Sequence, residues 1–451
     1  MTQRRRHWPR ARVADVCESI IDCVNKTAPT VAEATPYKMI RTTNVKSGWV
    51  RLSEVRYVSE DVFAKWTRRQ VPKRGDVILT REAPLGEVGM LRSNDQVFLG
   101  QRLVSYRADP QKLDNRFLLY AFQSADLQAQ FKALGSGATV EHIRVPDCEK
   151  WILDLPPLNE QRRIASILSA YEDLIENNTR RIAILEEMAR RLYEEWFVHF
   201  RFPGHEQARM VESELGLVPE GWAVVKLGSL VRDIRDSVAP TAVSSDTPYV
   251  GLEHIPRRSI ALSEWGQAAD VQSSKLRFRA GDILFGKIRP YFHKVAVAPV
   301  DGVSSSDAIV IRLNSEDAFV PALATINSDA FVAHAAQTSN GTKMPRANWN
   351  VLVEYPVLLP PHELRQQHHD FVSNYVAIIR NIVMRNRNLR AQRDLLLPKL
   401  IAGEIDVATF PEPEQATQAS EPAVDPMAFS QTVNWPVDGL ECQSQARAEW
   451  E

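Results

Sequence analysis

Residues 158–197 read LNEQRRIASILSAYEDLIENNTRRIAILEEMARRLYEEWF. Within them Ile164, Leu168, Tyr171, Ile175, Asn178, Ile182, Leu185, Ala189, Leu192 and Trp196 follow one another at spacings that alternate between four and three. That is an unbroken heptad seam. An amphipathic helix packed on a separate core is the alternative, but such a helix drifts off a strict 3.5-residue period. The stretch therefore predicts one strand of a coiled coil, roughly 35 to 40 residues long, or ~55 Å. A Pro156-Pro157 pair stops whatever precedes it.

Moving 204 residues along the chain finds a second seam: His368, Val372, Tyr375, Ile379, Ile382, Asn386, Leu389, Arg393, Leu396 and Leu400, again preceded by a proline pair, Pro360-Pro361. The segments upstream repeat too. Trp151 to Pro157 returns as Tyr355 to Pro361, Gly135-Ser136-Gly137 as Ser339-Asn340-Gly341, Gly75 to Leu79 as Gly281 to Phe285, and Pro36-Tyr37 as Pro248-Tyr249. Four matches in one order mark a duplicated chain. Ahead of each long helix lie short β-rich runs, among them Val77 to Thr80, Leu103 to Tyr106, Ile283 to Phe285 and Ala308 to Leu313. Helical patterns lie between them, such as Phe117 to Leu134 and Pro321 to Gln337. The fold class is α+β: two mixed α/β domains separated by two long helices that form an antiparallel coiled coil. The expected segments are 1–157, 158–204, 205–361 and 362–406, followed by an acidic and mostly disordered tail, 407–451.

Charge follows the same segmentation. The total of −1 conceals +7 over residues 1–157, −1 over 158–204, −2 over 205–361, +4 over 362–401 and −9 from 402 onward. An acidic tail masking a basic body leaves nucleic-acid binding open, while arguing against strong binding without help. The arginine-rich start lacks the apolar stretch of a signal peptide, and no run is long enough to cross a bilayer, so residence in the cytoplasm is expected. Cys17, Cys23, Cys148 and Cys442 have no metal-ligand spacing and read as reduced thiols. No metal and no cofactor are expected. A phosphate-binding glycine loop is absent, as is the Asn-Pro-Pro-aromatic string of an amino-methyltransferase. Asp147 and Glu149 are too crowded to share a nuclease metal. His368-His369, without a third ligand in view, reads as a solvated face. No catalytic residue is assigned.

Several strings resemble the specificity subunits of type I restriction-modification systems: LPPLNEQRRI over 155–164, IAILEEMARRLYEEWF over 182–197, VPEGW over 218–222 leading to Leu227-Gly228, and LLLPKLIAGEI over 395–405. The resemblance covers roughly residues 10 to 406. Two departures are His362-Glu363-Leu364-Arg365-Gln366, where the second copy usually shows a Glu-Gln-Arg-like run, and the long acidic tail. It implies two target-recognition domains, a split double-stranded DNA target read one half per domain, two methyltransferase subunits, and motor-nuclease restriction subunits as partners. It implies no catalysis by this chain. A duplicated reader joined by rigid rods can place two domains in major grooves about one helical turn, ~34 Å, apart. Rival functions are a coiled-coil scaffold, an orphan DNA-binding protein without a restriction partner, and a methyltransferase-nuclease fragment, which would need the missing motifs.

Base edges are read by Arg, Lys, Asn, Gln, Ser and Thr from loops held at strand ends. The first domain offers Thr80, Arg81, Glu82, Gln101, Arg102, Thr139, His142 and Arg144. The second offers Lys287, Arg289, Tyr291, Lys294, Ser305, Ser306, Thr342, Lys343 and Arg346. Any one of them could instead touch phosphate or solvent. In the seams, heptad lettering puts Asn178 at d and Asn386 at a, positions that face each other in an antiparallel pair. An amide pair there would fix the register, aligning Ile182 with Ile382, Leu185 with Ile379 and Leu192 with Val372.

Overall fold

The computed structural model describes residues 8–135, 141–341 and 343–408. They form two compact units, one of residues 8–173 with 390–408, the other of residues 174–389. Of the expected tail, 407–451, Val407 and Ala408 are described, Val407 buried in the first unit's core; the rest, with Phe410 to Pro426, lies outside the described residues.

The first unit is built on a six-stranded sheet in the order Cys17–Asp22, Leu103–Ala108, Val77–Arg81, Leu85–Met90, Gly48–Val50 and Val45–Lys46. Its central strand Val77–Arg81 is buried on both faces. Val77 and Leu79 enter one core with Tyr106, Phe117, Phe122, Phe131 and Trp151, while Ile78 enters another with Ile40, Leu91 and Val97. A strand covered on both sides reads as a continuous apolar run rather than an alternation, as VILT does. Three buried polar groups close the larger core: Trp151 Nε1 donates to Tyr106 Oη at 2.9 Å, which donates to Cys148 O at 3.0 Å.

The second unit repeats this plan around a four-stranded sheet in the order Val231–Asp233, Ala308–Leu313, Ile283–Gly286 and Val295–Val297. Ile283 and Phe285 face one core, Leu284 the other. The entry strands match as well: Arg10–Arg12 pairs antiparallel with Ile152–Asp154, and Ala223–Lys226 with Pro356–Leu359. The copies diverge beside the main sheet, which is flanked by a three-stranded sheet in the first unit and a five-stranded one in the second.

Each of the two expected helical stretches is divided into two helices. Asn115–Gln123 is followed by Ala125–Leu134, and Phe319–Ile326 by Asp329–Gln337. The cause is a serine at matching positions. Ser124 Oγ accepts from Leu127 N at 3.4 Å and Ser328 Oγ from Phe331 N at 3.1 Å, so each starts a new helix.

The long helices run Leu158–Tyr193 and His362–Ile401. Within the second unit Asn178 Nδ2 donates to Asn386 Oδ1 at 2.8 Å, and the Trp196 and Phe197 rings meet His368 at 5.5 and 4.8 Å. One helix advances by eighteen residues as the other retreats by eighteen, so here the two run antiparallel. His368 is 1% exposed, which corrects its assignment to a solvated face: the seam turns it inward among aromatic rings. Among the described residues no helix is long and apolar enough to cross a membrane.

Candidate nucleic-acid interface

Each unit gathers three loops at one end of its central strand, and the same backbone hydrogen bonds tie them. In the first unit Arg81 N donates to Arg102 O at 2.8 Å, and Ile143 N donates to Arg81 O at 3.0 Å. In the second, Lys287 N donates to Asp307 O at 3.0 Å, and Ala347 N to Lys287 O at 2.8 Å. The strand end, the turn entering the neighbouring strand and the loop after the paired helices thus meet in the same way twice.

Opposite these loops, at the start of the same strand, a second device is duplicated. Arg107 forks onto the buried carboxylate of Asp76 at 2.9 and 2.8 Å, and Arg312 onto that of Asp282 at 2.8 and 2.6 Å. Each aspartate also accepts from a backbone N–H, of Lys73 and Arg279 respectively, closing a turn through Gly75 and Gly281. Both glycines hold positive φ, +95° and +91°, which L side chains rarely adopt. The Gly-Asp repeat is plain in the sequence; its arginine partners are not.

The candidate residues divide. In the first unit Gln101, Arg102, His142 and Arg144 are exposed. Arg102 holds a left-handed φ of +72° and its guanidinium lies 3.3 Å from Glu82. Arg144 donates to Asp147 at 2.9 Å; Lys150 and Arg144 together hold that carboxyl below its usual range. Two residues are corrected. Thr80 is 0% exposed: its hydroxyl donates to Pro84 O at 2.6 Å and accepts from Glu87 N at 2.9 Å, so it ties the turn and presents nothing to a base. Arg81 sends Nη1 inward to Ile143 O at 2.9 Å and so serves to hold the neighbouring loop.

In the second unit Tyr291, Ser306, Lys343 and Arg346 are exposed. Arg346 pairs through its backbone with Asn340 in both directions, at 2.9 and 3.0 Å, and its side chain lies 3.9 Å from Asp307. Ser305 Oγ accepts from Asp307 N at 3.2 Å. Lys287, Arg289 and Lys294 are half-buried, and Lys294 donates to Leu252 O. Thr139 and Thr342 lie outside the described residues. Sequence reasoning missed Arg257, whose guanidinium stacks 4.2 Å from the Phe292 ring centroid. Nothing in the local sequence pairs these two residues, which meet through the fold. Among the described residues no cluster of His, Cys, Asp or Glu could hold a metal ion.

The fold and its loops define a duplicated α/β chain that offers two equivalent sets of polar and cationic loops. Residues 6–187 match the family described as the type I restriction modification DNA specificity domain. The MjaIX specificity subunit of Methanocaldococcus jannaschii is 25% identical over 78% of this chain and 82% of its own length. The EcoDI specificity subunit of Escherichia coli is 25% identical over 63% of this chain and 73% of its own. The crystal structure of a type I restriction-modification S subunit from M. genitalium shares the fold with a TM-score of 0.51, at 16% identity, over 87% of this chain and 96% of that one. Residues 6–187 thus carry the match to a type I restriction modification DNA specificity domain, and most of the chain is similar to type I restriction enzyme specificity subunits.

Proposed function

We propose that the chain reads a bipartite duplex DNA target, one half per unit. In this reading 1–157 and 205–361 are the target-recognition domains, while 158–204 and 362–406 form an antiparallel coiled coil. The chain carries two methyltransferase subunits and, through or beside them, restriction subunits, and it works in the cytoplasm without a cofactor of its own. The supporting observation is the duplicated triad of loops, tied by the same backbone hydrogen bonds at Arg81 and Lys287. Such loops, fixed by a rigid sheet, are where base-reading side chains belong.

The test uses the full chain with its methyltransferase subunits. Lys343→Ala with Arg346→Ala removes two exposed cations from one loop of the second unit, and should weaken binding to the methylated target while leaving the melting curve unchanged. Unchanged affinity at moderate salt would take this loop out of the interface. A complex that methylates no split sequence would overturn the function.

A further inference from the structure

Arg257, Arg289 and Lys294 bring three positive charges together in the second unit; the exposed carboxylate of Glu253 acts on Lys294, and no salt bridge to any of the three is formed among the described residues. The guanidinium of Arg257 lies 4.2 Å from the Phe292 centroid and that of Arg289 lies 6.0 Å from the same centroid. Lys294 reaches back to Leu252 O, on the segment that carries Arg257. Burial, and then the charge of Arg257, lower its pKa, while the carboxylate of Glu253 acts in the opposite direction. The neighbouring Arg258, by contrast, pairs with Asp329 at 2.9 Å.

The first unit shows the neutralised form of such a stack. There Arg92 lies 3.9 Å from the Trp49 centroid and pairs with Glu172 at 2.7 Å and Asp173 at 3.4 Å. The stack of Arg257 on Phe292, elsewhere in the second unit, has no such salt bridge among the described residues.

The backbone around these cations is strained and over-determined. Arg258, Arg289 and His293 all hold left-handed φ, at +54°, +49° and +52°. Arg289 N is tied to Pro345 O, and Arg258 N to His293 O, both at 2.8 Å. The segment bearing Arg257 is also fastened to the first long helix, where Glu186 accepts from Ser259 Oγ at 2.7 Å and from Ile260 N at 2.8 Å. Strain of this kind persists where surroundings enforce it, and it clusters at ligand clamps. Like charges held together cost free energy unless an anion completes the arrangement. Stacking on a ring leaves the guanidinium edge free for phosphate oxygens.

We propose that Arg257 and Arg289 beside Phe292, together with Lys294 just ahead of the strand Val295–Val297, clamp a backbone phosphate of the DNA beside the half-site that the second unit reads. The clamp supplies affinity and register but no sequence information. It rests on the DNA-reading function proposed above.

The experiment measures binding of the methyltransferase complex to target and random duplexes across a salt series, together with the methylated sequence. Arg257→Ala should weaken both duplexes by the same factor and reduce the slope of log affinity against log salt by about one. The methylated sequence should not change, and Arg257→Lys should keep most of the slope. A target carrying a neutral methylphosphonate at the clamped position should bind the parent and Arg257→Ala complexes alike. An unchanged slope, or a change in the second half of the methylated sequence, would overturn the clamp. If the parent complex methylates no split target, the underlying function fails instead.

Discussion

A neutral imidazole enclosed by aromatic rings links stability to pH within a definite window. His368 packs against Trp196 and Phe197, and among the described residues its Nε2 finds no hydrogen-bond partner. Burial, helped by neighbouring His369, lowers its pKa from 6.5 to about 4. Above pH 6.5 the ring is neutral in both the folded and the unfolded chain and contributes no pH dependence. Between 6.5 and about 4 the unfolded chain takes up a proton that the folded chain refuses, so stability falls as pH falls. At 1.36 kcal/mol per pKa unit the loss is about 3 kcal/mol once pH drops below the folded value. Thermal melts between about pH 4 and 7 should therefore decline more steeply for the parent than for His368→Phe, which keeps an aromatic ring and removes the titration. Equal slopes would show that the acid sensitivity lies elsewhere. The heptad register already sets His368 opposite Trp196, although the side-by-side histidines read as a solvated face. Phe197, the second ring on His368, lies off the seam and is itself backed by Trp222 at 5.4 Å.

The helix pair raises the same question of buried polarity at larger scale. Asn178 and Asn386 are 6% and 1% exposed, and Asn386 also donates to Ile175 O at 3.5 Å. Asn386→Leu leaves the Asn178 amide buried without its partner, at a cost of about 1–3 kcal/mol. Changing both to leucine should recover much of that, because no polar group is then stranded. A double-mutant cycle by chemical denaturation should give a coupling energy clearly different from zero; strictly additive losses would mean that the amide contact contributes nothing to stability. The helices were legible because a heptad seam is a long-range periodic signal, and the apolar partners Ile182, Val372, Ile379 and Ile382 all fall in one core. The sheets were only partly legible. Many strands here are two to four residues long, such as Val45–Lys46 and Ser237–Val238, too short for alternation to register. In the doubly covered strand Val77–Arg81 the pattern cannot say which face a side chain takes. That is why Thr80 looked available for binding. The serine breaks at 124 and 328 were hidden for another reason: apolar residues continue on both sides of each break, and the capping hydroxyl is a single-residue signal.

At the scale of the molecule, duplication was the most legible property and the details of divergence the least. The repeat exposed the shared loops, whereas Arg257 and its open charge belong to one copy and have no echo to reveal them. Duplication also carries the last prediction, that replacing residues 1–157 by another domain of the same family alters one half of the recognised sequence and leaves the other intact. The segment owns most of its core, with Tyr106, Phe117, Phe122, Phe131 and Trp151 all buried within it. It is not wholly independent of the helices. Ile164, Leu168 and Leu400 complete the same core, and Gln161 accepts from Asp114 N at 2.8 Å while donating to Lys112 O at 3.0 Å. Glu172, 2% exposed, accepts from Arg92 at 2.7 Å and from Tyr120 Oη at 3.1 Å. A graft that drops Arg92 and Tyr120 leaves the buried Glu172 carboxylate with Arg393, 3.9 Å away, and without both of its short hydrogen bonds, which destabilises the hybrid. A donor with arginine and tyrosine at those two places should fold. Sequencing of methylated sites in cells carrying the hybrid complex would read the result directly. Change confined to one half of the site is expected, since the loops at Lys287, Ser306 and Arg346 are untouched. Change in both halves would mean that the two units do not read separately.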